Sequence, residues 1–384
     1  LPVVLCRADN VSLMGQVSKA ARQQKVVTMN NRVAILSLVT GAAFSCAAVA
    51  APFNDPRSER NEAIEKAQAS EPRDPACYGM TLVATGGAAP RNPGTLAVRW
   101  AGQTNFELAY KGRVILLDAF YDRGSIYRSI GFQAAEVKKA DAILIGHGHF
   151  DHMSDAASVG ARTGATVVGA PVTTEKLATQ PIDPKQVRTV TGQGGEVLKF
   201  DGFTVEPVLA RHGQPDKHMT EVMEGAVNSI APPLTEEQKA ELAPIRARGT
   251  SDRRVIMEGT IVYLITLDSG FRIIFRDSGG AVTEQETALM QRVGPVDLAI
   301  VAASAEFLNS VSSQRALEHM RAYRPDVYMP GHHDAPTTGH VPLWRATEPS
   351  FQAMKEENPK LVTVSRGYRE PICFNTEFNI QRSK

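Results

Sequence analysis

His147, Gly148, His149, Phe150, Asp151 and His152 put four side chains with metal-binding atoms into six positions, and three of the chain's nine histidines lie in that span. Neutral imidazole and carboxylate are ligands that suit Zn²⁺ and iron. The apolar run Ala142 to Ile145 directly precedes them, so the motif opens where a buried strand ends. Alternate side chains of extended backbone share one side, which lets His147 and His149 grip a single ion. As the chain turns into the next helix, Asp151 and His152 swing toward a second position beside the first. The pattern predicts two metals. Gly146 and Gly148 imitate part of a dinucleotide fingerprint, but its third glycine is missing and Asp151 would stand beside a phosphate, so that reading is excluded.

Two ions need more ligands than this motif supplies, and the missing ones are expected at other strand ends. His212 closes FTVEPVLARHG, Asp277 closes RIIFRDSGG, and His332 and His333 close DVYMPGHHD. Each follows an apolar run, the place from which a layered α/β fold directs side chains into a site mouth. Asp277 to Gly280 also imitates the DSGG around a serine-protease nucleophile, but no histidine in a matching context precedes it. His319, on an expected helix, reads as structural. His218 and His340 flank the ligands His212 and His332 and are candidates for substrate contact.

These side chains must be held by alternating strands and helices. A strand is expected at TLVAT from Thr81, then a hairpin of TLAVRWAGQTNFELAY and RVILLDAF turned at Gly112. A helical stretch over Gln133–Lys139, the strand DAILIG, the motif, a helix over Ser154–Thr163, the strand ATVVGA and a helix over Thr173–Ala178 follow. Between Gly213 and Glu258 the strand pattern breaks into Pro-, Glu- and Arg-rich sequence with a helix expected over Thr235–Ala247; placed right after His212, this insertion reads as a lid or substrate wall. Strands resume in a hairpin turned at Asp268, Ser269 and Gly270, then a helix Thr283–Val293, the strand VDLAIVAAS, a helix Ser312–Tyr323 and the strand DVYMPGHHD. Such alternation indicates a mixed α/β sandwich.

The 384 residues, 43% of them hydrophobic, can bury a large core. With 42 basic against 41 acidic residues and no long basic run, nothing marks a nucleic-acid footprint; a small-molecule substrate fits better. From Met29 the chain shows Arg32, an apolar core from Val33 to Phe44 and the small-residue end Ala48, Val49, Ala50, the pattern of a secretory signal peptide over residues 29–50. Its core is shorter than the roughly 20 residues of a membrane span, so no stable anchor is expected, and Phe44 and Ser45 fit poorly before a lipidated Cys46. Residues 1–28 read as an upstream extension and 51–78 as a linker with a short helical patch over Asn61–Ala69. Cleavage after Ala50 would leave Cys77 and Cys373, which read either as two buried thiols or as a disulfide in a periplasmic or secreted protein, worth about 4–5 kcal/mol in the chain-entropy treatment.

With these motifs in order, the chain from Gly79 onward resembles the metallo-β-lactamase superfamily. The resemblance implies a four-layer αββα sandwich and a hydrolase. It implies that His147, His149 and His212 hold one metal, that Asp151, His152 and a C-terminal histidine hold the other, and that Asp277 bridges them. The family's Pro-x-His pattern selects His332 after Pro330, with His333 as the alternative. WAGQTNFEL, ILLDAF and MPGHHD are similar to segments of the ascorbate-6-phosphate lactonase-like and phospholipase D-like branch. Gln103 stands where that branch carries histidine, a departure that leaves the metal set intact. Asp118 is implied as a partner that orients a ligand histidine. Two Zn²⁺, or iron or manganese, would share a hydroxide about 3.5–4 Å-spaced ions can generate, with Asp151 accepting a proton, to cleave a small ester, lactone or phosphodiester. A β-lactam-hydrolysing enzyme and a non-catalytic metal-binding module are the competing functions.

Overall fold

The computed structural model describes residues 75–213, 233–303, 310–334 and 343–377. The expected extension, the signal peptide, most of the linker, His218 and His340 lie outside the described residues. Among the described residues no helix is long and apolar enough to cross a membrane.

Fourteen strands among the described residues form two seven-stranded sheets. The first contains β1 (Thr95–Trp100), β2 (Phe106–Tyr110), β3 (Arg113–Leu117), β4 (Ala142–Leu144), β5 (Thr166–Gly169), β6 (Val187–Thr189) and β14 (Pro371–Asn375). The second contains β7 (Leu198–Phe200), β8 (Phe203–Ala210), β9 (Thr260–Leu267), β10 (Arg272–Arg276), β11 (Leu298–Ala302), β12 (Val327–Gly331) and β13 (Val362–Thr363). Their orders are β14-β1-β2-β3-β4-β5-β6 and β13-β12-β11-β10-β9-β8-β7.

Side chains of both sheets interlock in one core, with Leu96, Trp100, Phe106 and Leu144 of the first packed with Val205, Tyr263, Ile273 and Phe275 of the second. Because β-strand side chains alternate in direction, the opposite faces are apolar too and each takes a helical layer. α1 (Phe150–Met153), α2 (Ala156–Thr163) and α3 (Pro171–Leu177) cover the first sheet through Met153, Val159 and Leu177. α6 (Glu284–Val293), α7 (Ser310–Tyr323) and α8 (Leu343–Glu357) cover the second through Leu289, Met320 and Met354. The expected αββα sandwich is the observed architecture. Between the halves run α4 (Glu236–Arg246) and α5 (Asp252–Glu258). A capping box of Thr235 and Gln238 starts α4 where the sequence placed it.

Three elements differ from expectation. TLAVRWAGQTNFELAY is two strands rather than one, β1 and β2 pairing antiparallel across a turn in which Ala101 N donates to Asn105 O at 2.7 Å. The TLVAT segment is a 3₁₀ turn at Val83–Thr85 rather than a strand. Glu107 of β2 explains this, because its carboxylate accepts from the backbone N–H of Val83 at 2.8 Å and of Ala84 at 2.6 Å, groups a strand ladder would have used. Arg99 pairs with Glu107 at 3.2 Å, both side chains fully buried, and also donates to Ala76 O at 2.8 Å. The helix expected over Gln133–Lys139 is a single 3₁₀ turn, Ala134–Glu136, closed by a capping box.

β14 pairs with β1 in antiparallel register, Ala97 facing Cys373, and Cys373 is bonded to Cys77 with Cα atoms 5.8 Å apart. The disulfide alternative is therefore the observed one. It closes a loop spanning a sequence separation of 296. Replacing both cysteines by serine should cost about 4 kcal/mol of unfolding free energy, read from denaturant titration; an unchanged midpoint would mean that strand pairing alone secures this edge.

Candidate metal centre

β3 and β4 are parallel, as are β10, β11 and β12, and β8 shares the direction of β10 because both run antiparallel to β9. Their carboxyl ends therefore open at one edge of the sandwich, and that edge receives Asp118 after β3, His147 after β4, His212 after β8, Asp277 after β10 and His332 after β12. Asp118 and His332 adopt left-handed backbone with φ of 57° and 62°, a conformation costly for residues with a Cβ unless their surroundings hold it. They are held. His332 N donates to Gln103 O at 2.7 Å, and Asp118 accepts from Gly146 N at 3.1 Å and from Thr104 Oγ1 at 2.6 Å.

Gly146 is required by contact. A Cβ there would lie 2.0 Å from Asp277 Cγ, so only glycine lets the carboxylate from the second sheet reach the first-sheet loop. Thr260 Oγ1 lies 3.0 Å from Gly146 O and 2.5 Å from Asp277 Oδ1, locking the two together. Ile261 N donates to the same carbonyl at 2.7 Å.

The ligand atoms gather in three overlapping groups: His147, His149 and His212; His147, His152 and Asp277; and Asp151, His152 and His332. Within each, one atom per residue lies within 4.8 Å of the others. The first group carries the best test of whether metal fits. Its three rings are mutually near-perpendicular, with interplanar angles of 81°, 81° and 85° and centroids 4.7–4.9 Å apart. His147 Nε2 and His149 Nδ1 face each other at 3.0 Å. Rings that stack for packing do not converge nitrogens in this way; three imidazoles around a common cation do. In the third group His332 Nε2 lies 3.4 Å and His152 Nε2 3.8 Å from Asp151 Oδ2. Asp277 Oδ2 is 2.6 Å from His147 Nδ1 and 3.4 Å from His152 Nδ1, within reach of both halves. The donor set suits divalent metal of the N/O-preferring kind.

Charge divides the site. Burial pushes the pKa of His147 and His149 down and that of His212 to about 4, leaving three neutral imidazoles at pH 7. Burial would depress His152 as well, but Asp151 and Asp118 outweigh it and raise it to about 10. Asp118 meets His152 Nδ1 at 2.8 Å, which leaves Nε2 for an ion. Burial opposes ionisation of Asp151 and Asp277, yet His152 and His332 hold the first carboxyl low, and His147 and His152 the second.

The remaining sequence candidates separate. His333 stacks on Trp100 at 4.1 Å and belongs to none of the three groups, so of the adjacent pair it is His332 that joins the cluster. Gln103 is buried, 1% exposed; its backbone N–H donates to Asp334 Oδ1 at 2.9 Å and its carbonyl accepts from Trp100 Nε1 at 2.6 Å, so it serves the His332 loop. Arg123 pairs with Asp334 at 2.7 Å. The described part of the insertion rests on the histidine motif. Thr250 N and Oγ1 both donate to Gly148 O, at 2.8 and 2.9 Å; Leu242 and Ile245 pack on Phe120 and Phe150; and Asp252 lies 3.2 Å from His149 Nε2. Sequence reasoning missed Thr104 and Thr260. Single hydroxyls that steady a carboxylate leave no pattern, although Thr104 adjoins the Gly102-Gln103 turn already singled out.

The charge division has a measurable sign. At pH 7 an ion entering the His147, His149 and His212 group meets no imidazole proton, so affinity there should stay level between pH 8 and 6. An ion entering the Asp151, His152 and His332 group must displace the His152 Nε2 proton, so affinity there should rise about tenfold per pH unit over the same range. Zinc calorimetry on metal-free protein in buffers of different ionisation heat counts these protons; equal release from both events would refute the division.

Residues 113–231 match the family profile described as a beta-lactamase superfamily domain. A protein of Azorhizobium caulinodans named as a metal-dependent hydrolase is 28% identical over 127 residues, covering 30% of this chain and 49% of the relative. One of Roseiflexus castenholzii, named likewise, is 30% identical over 116 residues, covering 30% and 47%. The chain thus spans about half the length of the relatives it matches. The solved metallo hydrolase Igni18 of Ignicoccus hospitalis has a TM-score of 0.48 and 16% identity, covering 73% of this chain and 98% of that one. Both sheets with their helical layers are consistent with a metallo-β-lactamase sandwich fold, and the matched segment is similar to that superfamily's domain over the stretch that carries the histidine motif.

Proposed function

We propose that this chain is an exported binuclear metal-dependent hydrolase that cleaves a small ester, lactone or phosphodiester. The observation that carries the reading is that the group of His147, His152 and Asp277 shares His147 with one outer group and His152 with the other, an overlap that supports two neighbouring ion positions rather than one. The relatives named as metal-dependent hydrolases support the reaction class. Zinc is the preferred metal, and iron and manganese accept the same donors. Bound divalent ions supply Lewis acidity and bring the pKa of water toward neutrality.

The protein's own groups supply the rest. Asp118 keeps the proton on His152 Nδ1, fixing the ring and its tautomer. Asp151, held ionised beside His332 and His152, accepts a proton from the attacking water. Export is supported by the leader pattern over residues 29–50 and by the Cys77–Cys373 bridge, a bond that persists in oxidising compartments. The segments WAGQTNFEL, ILLDAF and MPGHHD favour the lactonase-like and phospholipase D-like branch, which puts lactones and phosphodiesters ahead of β-lactams in a substrate panel.

Asp151→Ala should lower turnover by roughly 10²–10⁴-fold on any substrate of that panel while circular dichroism stays unchanged. Full activity in the variant would eliminate Asp151 as the proton acceptor and the binuclear reading with it. Two bound metals in the wild type with no turnover on any ester, lactone, phosphodiester or β-lactam would favour a non-catalytic metal-binding module.

A further inference from the structure

Arg276 is wholly buried at the last position of β10, immediately before Asp277. Its guanidinium is almost entirely committed to chain segments that carry metal-site residues. It donates to Ser278 O, to Arg211 O at 3.3 Å and to Ala281 O at 3.2 Å, and its Nε meets Glu286 Oε1 at 3.1 Å. Arg211 precedes His212, and Ser278 follows Asp277.

Ladder hydrogen bonds cannot tie these two arms together, because β9 lies between β8 and β10 in the sheet. The guanidinium spans that gap. Around it the arms are already close: a Cβ on Gly280 would lie 2.0 Å from Arg211 O, and Ser278 Oγ accepts from Gly213 N at 2.8 Å. Glu286 is fixed in turn by Tyr323 Oη, which donates to Oε1, and by Thr283 N at 2.8 Å on Oε2. Thr283 Oγ1 also donates to Leu209 O at 3.1 Å, on the β8 side. α6 and α7 thus hold the guanidinium against both arms.

We infer that Arg276 is a positioning residue that sets the separation between His212, in one half of the metal centre, and Asp277, which reaches both halves. The inference rests on the proposed function only in taking these residues as ligands; it does not depend on which bond is cleaved. A planar fork with donors at fixed angles can serve three carbonyls and a carboxylate at once, whereas an ammonium on a flexible stem cannot.

The test compares zinc binding by metal-free wild type, Arg276→Lys and Arg99→Lys. Arg99 makes a buried pair of the same kind with Glu107 in the first sheet, so its variant controls for losing a buried guanidinium. Arg276→Lys should bind zinc at least tenfold more weakly and give an altered cobalt absorption spectrum, while Arg99→Lys keeps wild-type affinity and spectrum. If Arg276→Lys does not fold, Arg276→Met combined with Glu286→Leu removes the pair without stranding a buried carboxylate, and the same weakening is expected. Wild-type affinity and spectrum in a folded Arg276 variant, equal weakening in Arg99→Lys, or no zinc uptake by the wild type would each overturn the inference. Wild-type protein that binds zinc but turns over nothing would defeat the hydrolase reading and leave the Arg276 comparison standing.

Discussion

The fold depends on one close approach, in which the Asp277 carboxylate from the second sheet lies against the backbone of Gly146 in the first. No side chain can be accommodated at 146, and the position directly before His147 is therefore fixed by Asp277, far along the chain in the other sheet. Thr260 bonds to the same carbonyl and to the same carboxylate, so β9, β10 and the loop after β4 are set in one arrangement. The interlocked core of the two sheets brings these elements near each other, and the polar contact at the edge selects their register. If the sheets slid by one residue, the core could still be apolar, but the three imidazoles would no longer face one another.

Such a cluster would be costly in a protein interior if its charges were not matched. Here the arrangement spreads the cost unevenly. One half holds neutral rings, kept so by burial, and the other half holds a cation, His152, flanked by the carboxylates of Asp118 and Asp151. The same residues that orient rings also balance charge. Asp118 shows both roles at once, receiving Thr104 and Gly146 on the protein side and His152 on the site side.

Much of this was legible in the chain. The density of HxHxDH behind an apolar run, and histidines or aspartate at the ends of later runs, pointed to the residues that the fold gathers, because strand ends are visible locally and parallel strands open on one edge. The layered architecture followed from alternating patterns. What sequence could not provide were the long-range polar choices. The stretch from Thr81 has strand-like composition, yet Glu107 takes its N–H groups and turns it into a 3₁₀ element. Gln133–Lys139 has helical composition, yet only one turn forms. Arg276, Thr260 and Thr104 are ordinary residues in apolar or mixed segments, and their importance comes from partners on other elements of the fold. The choice between His332 and His333 rests on their different surroundings, one turned toward Asp151 and the other stacked on Trp100.

The bridge between Cys77 and Cys373 joins two points near the ends of the described chain, on the strand edge remote in sheet order from β6. Mechanically this makes the domain a closed ring. A pull applied beyond both cysteines, by translocation, a tether or a protease drawing on a loose end, loads the covalent S–S bond first and leaves the strand ends that carry the histidines unstressed. A cut in any surface loop between the cysteines leaves two pieces that are still joined, so the halves of the sandwich, each holding part of the site, cannot drift apart.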